Sequence, residues 1–314
     1  MFPLRLMSWN VRYFSHHVRG VTSVERNVRR AAEAVAALDP QPDVLALQEI
    51  DNHSVRSNLT LIGRRKPENG LSDPQIVRFV RHLNEASARR GGHQWEALFF
   101  RAHGHDALWS LYSTGLAVVY RRGLELVSHN SASPHEITFR RIPALSRLKQ
   151  KRICAHARLR DERGRTFDLF NTHLSLPAFL QGADKQTRRR FGHADNQIAE
   201  IQSVLDFVGR TGSPDRSVLV GDFNALPGSK VYNAVVGNGS GLRDAFARYF
   251  ELSVDDLAAI PSAGFMRMRF RLDHFFAGPR IAVKAFPHTF PFNPAHPMRG
   301  LSDHVPIVGA FTVK

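Results

Sequence analysis

Cysteine is almost missing from this sequence: Cys154 is its single representative among 314 residues. That excludes an intramolecular disulfide framework and a cysteine-rich zinc site. Long apolar runs are missing too. No stretch approaches the roughly 18 apolar residues that a membrane-spanning helix needs. The opening Met1–Phe14 has neither a long apolar segment nor a small-residue cleavage site. No secretory signal is therefore read, and a cytoplasmic location is expected. No internal repeat, low-complexity tract or Gly/Ser/Pro-rich linker divides the chain, and a single domain over residues 1–314 is expected. Acidic residues are scarce, with 28 Asp+Glu against 43 Lys+Arg and a net charge of +15. Lysine supplies only 7 of those cations, which leaves 36 arginines. Such a balance favours polyanionic partners: nucleic acid, anionic membrane or phosphorylated ligands. An Arg-rich genome leaves the same trace, so charge alone does not decide between them.

What is present is ordinary for a globular protein, 43% hydrophobic and 23% charged, which excludes a disordered tail. Short apolar runs alternate with a few helical stretches. Apolar positions at helical spacing predict helices over Val24–Leu38, Pro74–Ala88 and Asn196–Gly209. Strands are predicted at Arg5–Asn10, Val44–Glu49, Leu116–Arg121, Leu124–His129, Ile153–Arg160, Thr166–Thr172, Ser217–Gly221, Arg267–Phe276 and Val305–Thr312. Gly164 marks a hairpin. Strands outnumber helices, and the hairpin-like connections predict largely antiparallel sheets with helices packed outside.

Several of these strands end in polar or acidic groups. SWN closes on Asn10 and LALQE on Glu49. FNTHL carries Asn171 and His173, and VLVGDFNA carries Asp222 and Asn224. RLDHFF carries Asp273 and His274, and GLSDHVP carries Asp303 and His304. One such terminus is common turn chemistry. Six predict strand ends converging on one rim. Carboxylates gathered there repel one another unless a cation or fixed donors intervene, and oxygen ligands suit a hard divalent ion such as Mg²⁺.

In this order, SWN, LQE, NTHL, GDFNA, LDHFF and LSDH resemble the endonuclease/exonuclease/phosphatase superfamily from Leu6 to about Phe311. The resemblance implies an α/β fold, a four-layer sandwich of two packed, mostly antiparallel β-sheets flanked by helices. It implies a metal-dependent phosphoesterase. Glu49 would be the principal metal ligand, with Asn10 and Asp303 beside it. Asp222 would orient and deprotonate the attacking water, and Asn224 would fix Asp222. His173 and His304 would bind the phosphate, with Asp273 orienting the His304 imidazole. Neutralised charge, an aligned water and a stabilised leaving group are what phosphodiester hydrolysis needs. Mg²⁺ is the expected cofactor, and Mn²⁺ suits the same ligands.

The substrate signal is thinner. Pancreatic-type nucleases carry an acidic residue just before the strand matching LAVVYR, whereas Thr114 stands there in this chain. Basic clusters at Arg64–Lys66, Arg140–Arg152 and Arg188–Arg190 suit a phosphate backbone. If the strand over Met266–Asp273 stays regular, Arg267, Arg269 and Arg271 share the face of Asp273. The long insertion Leu174–Gly192 mixes apolar and basic residues, and the Phe- and Pro-rich Ala285–Pro297 forms another rim loop. The expected function is cleavage of DNA or RNA. The alternative is a lipid headgroup or small phosphorylated metabolite.

Overall fold

A computed structural model describes residues 3–15, 21–51, 74–102, 114–139, 151–177, 191–237, 239–265, 268–288, 292 and 296–314. Its first strands are β1 (Leu4–Asn10), β2 (Val44–Asp51), β3 (Trp95–Arg101), β4 (Thr114–Arg121), β5 (Glu125–His129), β6 (His135–Glu136), β7 (Ile153–Arg160) and β8 (Thr166–His173). Then come β9 (Ser217–Asp222), β10 (Arg243–Asp244), β11 (Ala263–Phe265), β12 (Met268–Phe270), β13 (Asp273–Ala277), β14 (Ile281–Ala285) and β15 (Ile307–Val313). The longer helices are α1 (Val21–Ala36), α2 (Gln75–Ala88) and α3 (Asp195–Thr211). All three predicted helices are present within a few residues of their expected limits.

The strands form two large sheets, ordered β14-β15-β1-β2-β4-β3 and β10-β13-β9-β8-β7-β5, and a separate β11-β12 ribbon. Pairing is antiparallel except between β1 and β2 and between β8 and β9. Strand alternation explains the layering. Leu4 and Leu6 of β1, Val44 and Ala46 of β2, and Leu116 and Val118 of β4 face the core shared with Leu169 and Val220 of the second sheet. The residues between them, Met7, Trp9, Leu45, Leu47, Ala117 and Val119, face a second core with Val28 and Val35 of α1 and Phe79 and Leu83 of α2. On the far side, Phe207 of α3 packs edge-on against Phe170 of β8 with ring centroids 5.7 Å apart. Two sheets between helices are the four-layer arrangement expected. Burying an aromatic or large aliphatic side chain contributes about 1.5–3 kcal/mol, so the two cores are the main cohesive term.

Topology brings the polar strand ends together. The parallel pairs deliver the C-terminal ends of β1, β2, β8 and β9 to one rim. Their antiparallel neighbours β4, β7, β13 and β15 begin at that rim. Asp273 is therefore the register partner of Asp222, and His173 lies opposite Asp222 on its other side.

The regular strand expected over Met266–Asp273 does not form, so Arg269 and Arg271 do not share the face of Asp273. The predicted strand over Arg267–Phe276 is broken: β12 belongs to the small ribbon, and Arg271 and Leu272 lie outside any strand before β13 begins. Ser262 causes the break, because its Oγ accepts the backbone N–H groups of Leu272 (3.0 Å) and Asp273 (2.9 Å) in place of a ladder partner. Arg271 turns inward, is fully buried and packs its guanidinium 4.1 Å from the Phe246 ring centroid. Arg269 is exposed, and Arg267 lies outside the described residues.

Candidate active site

Two local irregularities aim the central groups. The β2–β4 ladder slips between Leu47 and Ile50, and Glu49 adopts a left-handed φ of 56° at that bulge. The bulge turns Glu49 toward the rim while Gln48 points between the sheets. Left-handed backbone costs a non-glycine residue roughly 1–2 kcal/mol, a strain typical of functional positions. In the GDFNA segment Gly221 has φ 142°, and a Cβ there would collide with the Thr172 carbonyl oxygen. Only glycine lets β9 approach β8 closely enough to set Asp222 beside His173.

Asn10 bridges the carboxylates. Its Nδ2 donates to Glu49 Oε1 at 3.1 Å and to Asp222 Oδ2 at 3.0 Å, while its Oδ1 accepts from the Arg12 backbone at 3.0 Å. Asp222 is buried, and its Oδ1 accepts the Asn224 backbone N–H at 2.9 Å. The Asn224 side chain donates to the Leu174 carbonyl (2.9 Å) and so fixes the loop after Asp222 rather than the carboxylate directly. Asp222 Oδ2 faces both imidazoles, 3.5 Å from His173 Nε2 and 3.7 Å from His304 Nε2. Asp273 Oδ2 binds His304 Nδ1 at 2.8 Å and accepts from Ser262 Oγ at 2.7 Å.

Burial pushes the Asp222 carboxyl up to about 7, with Asp273 adding to it and His304 opposing it. Burial opposes charge on His304, but Asp273 and Asp222 outweigh it and raise that imidazole to about 10. His173 goes the other way: burial, then the charges of Arg152 and His304, hold it well below its usual range. The rim thus presents one cationic and one neutral imidazole to a single carboxylate.

Asp303 is placed differently from Glu49. Its Oδ2 pairs with Arg12 Nη1 at 2.7 Å, so joining a cation on Glu49 would require Arg12 to shift. Among the described residues one group of three, Asp222, Asp273 and His304, has potential ligand atoms within 4.8 Å of one another. An imidazolium hydrogen-bonded to a carboxylate has no free lone pair, so this trio fits a proton relay better than a metal cage. Glu49, partly exposed and polarised by Asn10, is the oxygen donor best placed for a hard cation.

Sequence reading missed Ser262 and Arg12. Ser262 sits eleven residues before Asp273 in an unremarkable loop, and only the fold makes it a cradle. His274 proves to be a support: it is fully buried, and its Nε2 meets the Ala225 carbonyl at 2.8 Å behind the Asp222 loop. Asn171 lies buried between the sheets, neither a turn residue nor a rim group. Thr114 opens β4 and lines a cleft with Glu49, His173, Lys151 and Arg152. Glu96 of β3 pairs with Tyr120 and Arg122. His103, His105, Asp106, Arg64–Lys66, Arg188–Arg190 and most of the 174–192 insertion lie outside the described residues.

The strand ends of two packed sheets gather histidines, carboxylates and an asparagine on one rim, an arrangement suited to a metal-dependent phosphoesterase. The chain belongs to the Endonuclease/Exonuclease/phosphatase family, whose model matches residues 7–304. Its fold is similar to an endonuclease/exonuclease/phosphatase from Bacteroides vulgatus (TM-score 0.61, 15% identity, 100% of both chains covered). It is also similar to ANGEL2, a 2′,3′-cyclic phosphatase (TM-score 0.60, 15% identity, 99% of this chain and 95% of that one). The human Nocturnin catalytic domain matches at TM-score 0.56 and 18% identity, over 100% of this chain and 94% of that one. No curated protein matches the sequence significantly. No helix among the described residues is long and apolar enough to cross a membrane.

Proposed function

We propose that this protein is a Mg²⁺- or Mn²⁺-dependent phosphodiesterase that cleaves nucleic acid by water attack on phosphorus. The observation that carries this reading is the buried Asp222 carboxylate, set 3.5 and 3.7 Å from two imidazoles of opposite charge. Asp222, pinned by Asn10 and the Asn224 amide, orients the water and takes its proton. A base with pKa near the working pH is suited to that task. His304, kept protonated and oriented by Asp273, donates to the phosphoryl oxygens as negative charge builds there. His173, neutral at pH 7, donates a hydrogen bond to a non-bridging oxygen. Glu49, with Asn10 and Asp303 nearby, would hold the cation, which supplies charge neutralisation at phosphorus and an acidified water.

The net charge of +15 and the cations around the site favour nucleic acid over a neutral-headed lipid. A lipid or small phosphoester substrate is the second reading, favoured by the exposed Leu176 at the start of the insertion after His173. The deciding experiment is nicking of supercoiled plasmid and cleavage of RNA with Mg²⁺ or Mn²⁺, with EDTA and Asp222→Asn controls. Cleavage that needs both the metal and Asp222 supports the nuclease reading. Turnover of lipid or small phosphoesters alone, under the same controls, would transfer the role to them.

A further inference from the structure

Two clefts adjoin the reaction centre, and strand order puts them on opposite flanks. One is walled by Thr114, Lys151 and Arg152 beside Glu49 and His173, at the start of β4 and β7. The other is walled by Arg269, Phe292, Met298 and Arg299 beside His304, where the chain enters β13 and β15. In the first sheet the order is β15-β1-β2-β4, so Asn10 and Glu49 lie between the two clefts. In the second sheet the order is β13-β9-β8-β7, so Asp222 and His173 lie between them as well.

Each flank offers cations. Arg152 lines the same cleft as Glu49 and His173, so its charge faces the site itself. Arg269 rests on the Phe292 ring, 4.5 Å from its centroid, and donates to the Met268 carbonyl at 3.0 Å. A stacked guanidinium loses less side-chain freedom when it takes up a phosphate. An aromatic–arginine platform is also the surface on which unpaired bases stack. Three inter-strand spacings separate β15 from β4, a span of about 14 Å, longer than one internucleotide step of an extended single strand. That span exceeds a single phosphorylated headgroup and matches a short stretch of polynucleotide.

The geometry points to a substrate strand that crosses the rim and occupies both clefts, so that the scissile bond is an internal phosphodiester of single-stranded nucleic acid. One nucleotide sits on the Arg269–Phe292 platform, and a phosphate on the opposite side meets Arg152. This inference rests on the nuclease reading and adds endonucleolytic action and the residues that produce it.

The test uses the full chain with Mg²⁺ or Mn²⁺, an end-labelled single strand of about 12 nucleotides, and bis(p-nitrophenyl) phosphate as a diester with no flanking phosphates. Internal products from the first turnover are expected. Arg269→Ala and Phe292→Ala are each expected to lower kcat/KM on the oligonucleotide roughly tenfold more than on the small diester. Arg152→Ala and Arg299→Ala should each reduce the slope of log KM against log salt by about 0.7, the share of one phosphate contact on a single strand. Stepwise release of mononucleotides from one end would overturn the inference while leaving the nuclease reading intact. So would equal losses on both substrates. Turnover of the small diester with no cleavage of any oligonucleotide would overturn both.

Discussion

At the scale of single residues, the site depends on side chains held in costly states. Arg12, Tyr13 and Phe14 form a left-handed run with φ of 44°, 55° and 51°, and Arg12 uses it to reach Asp303. Arg12→Ala keeps that backbone strain and loses the ion pair, whereas Arg12→Gly loses the ion pair and the strain. Arg12→Gly should therefore be more stable than Arg12→Ala by about 0.5–1 kcal/mol in denaturant unfolding, the reverse of their order in a helix. The pH profile follows from the same reasoning. Asp222 must be a carboxylate to accept a proton, so kcat/KM should rise with pH through about 7. His304 must stay protonated, so activity should decline as pH approaches about 10. Asp222→Asn should lower kcat by about 10²- to 10⁴-fold and abolish the acidic limb, measured as initial rates on the small diester.

At the scale of elements, the ends of the strands matter more than their middles. The apolar interiors of β1, β2, β8 and β9 were readable from their runs of hydrophobic residues, as were α1 to α3 from helical periodicity. The breaks were not. Alternation alone kept Met266–Asp273 as one regular strand, whereas the Ser262 hydroxyl ends the ladder and redirects Arg271 into the core. The Glu49 bulge was equally hidden, because a one-residue register slip leaves no mark on composition. Gly221 is the counter-example, a glycine whose quoted motif has a backbone cause. Gly221→Ala should cost about 3 kcal/mol or more, since it combines a φ of 142° with a collision against Thr172. Urea unfolding would measure this, and a loss under about 1 kcal/mol would show that β8 and β9 can separate cheaply.

At the scale of the whole molecule, two sheets must dock in one register for their rims to form one site. Asn171 of the second sheet supplies part of that docking. Its Nδ2 donates to the Leu47 and Ala117 carbonyls of the first sheet at 3.0 and 3.3 Å, and its Oδ1 accepts from Gln48 at 2.8 Å. The group is fully buried, so Asn171→Ala removes three hydrogen bonds that join the two sheets at this point. A loss of about 2–4 kcal/mol is expected by thermal or denaturant unfolding, with activity falling because His173 and Glu49 shift against each other.

The sequence by itself determined the family, the layered α/β architecture, the polar strand ends and the identity of the groups that meet at the rim. Those features follow from local patterns: apolar runs, helical spacing and motifs of a few residues. Only the tertiary structure decided which groups touch. It tied Asp303 to Arg12, gave Asp273 to His304 and Ser262, buried Arg271, and set two cationic clefts on either side of Asp222. Contacts between residues tens to hundreds of positions apart depend on sheet order and register. Those are fixed by the packing of the whole chain, and no local window of sequence contains them.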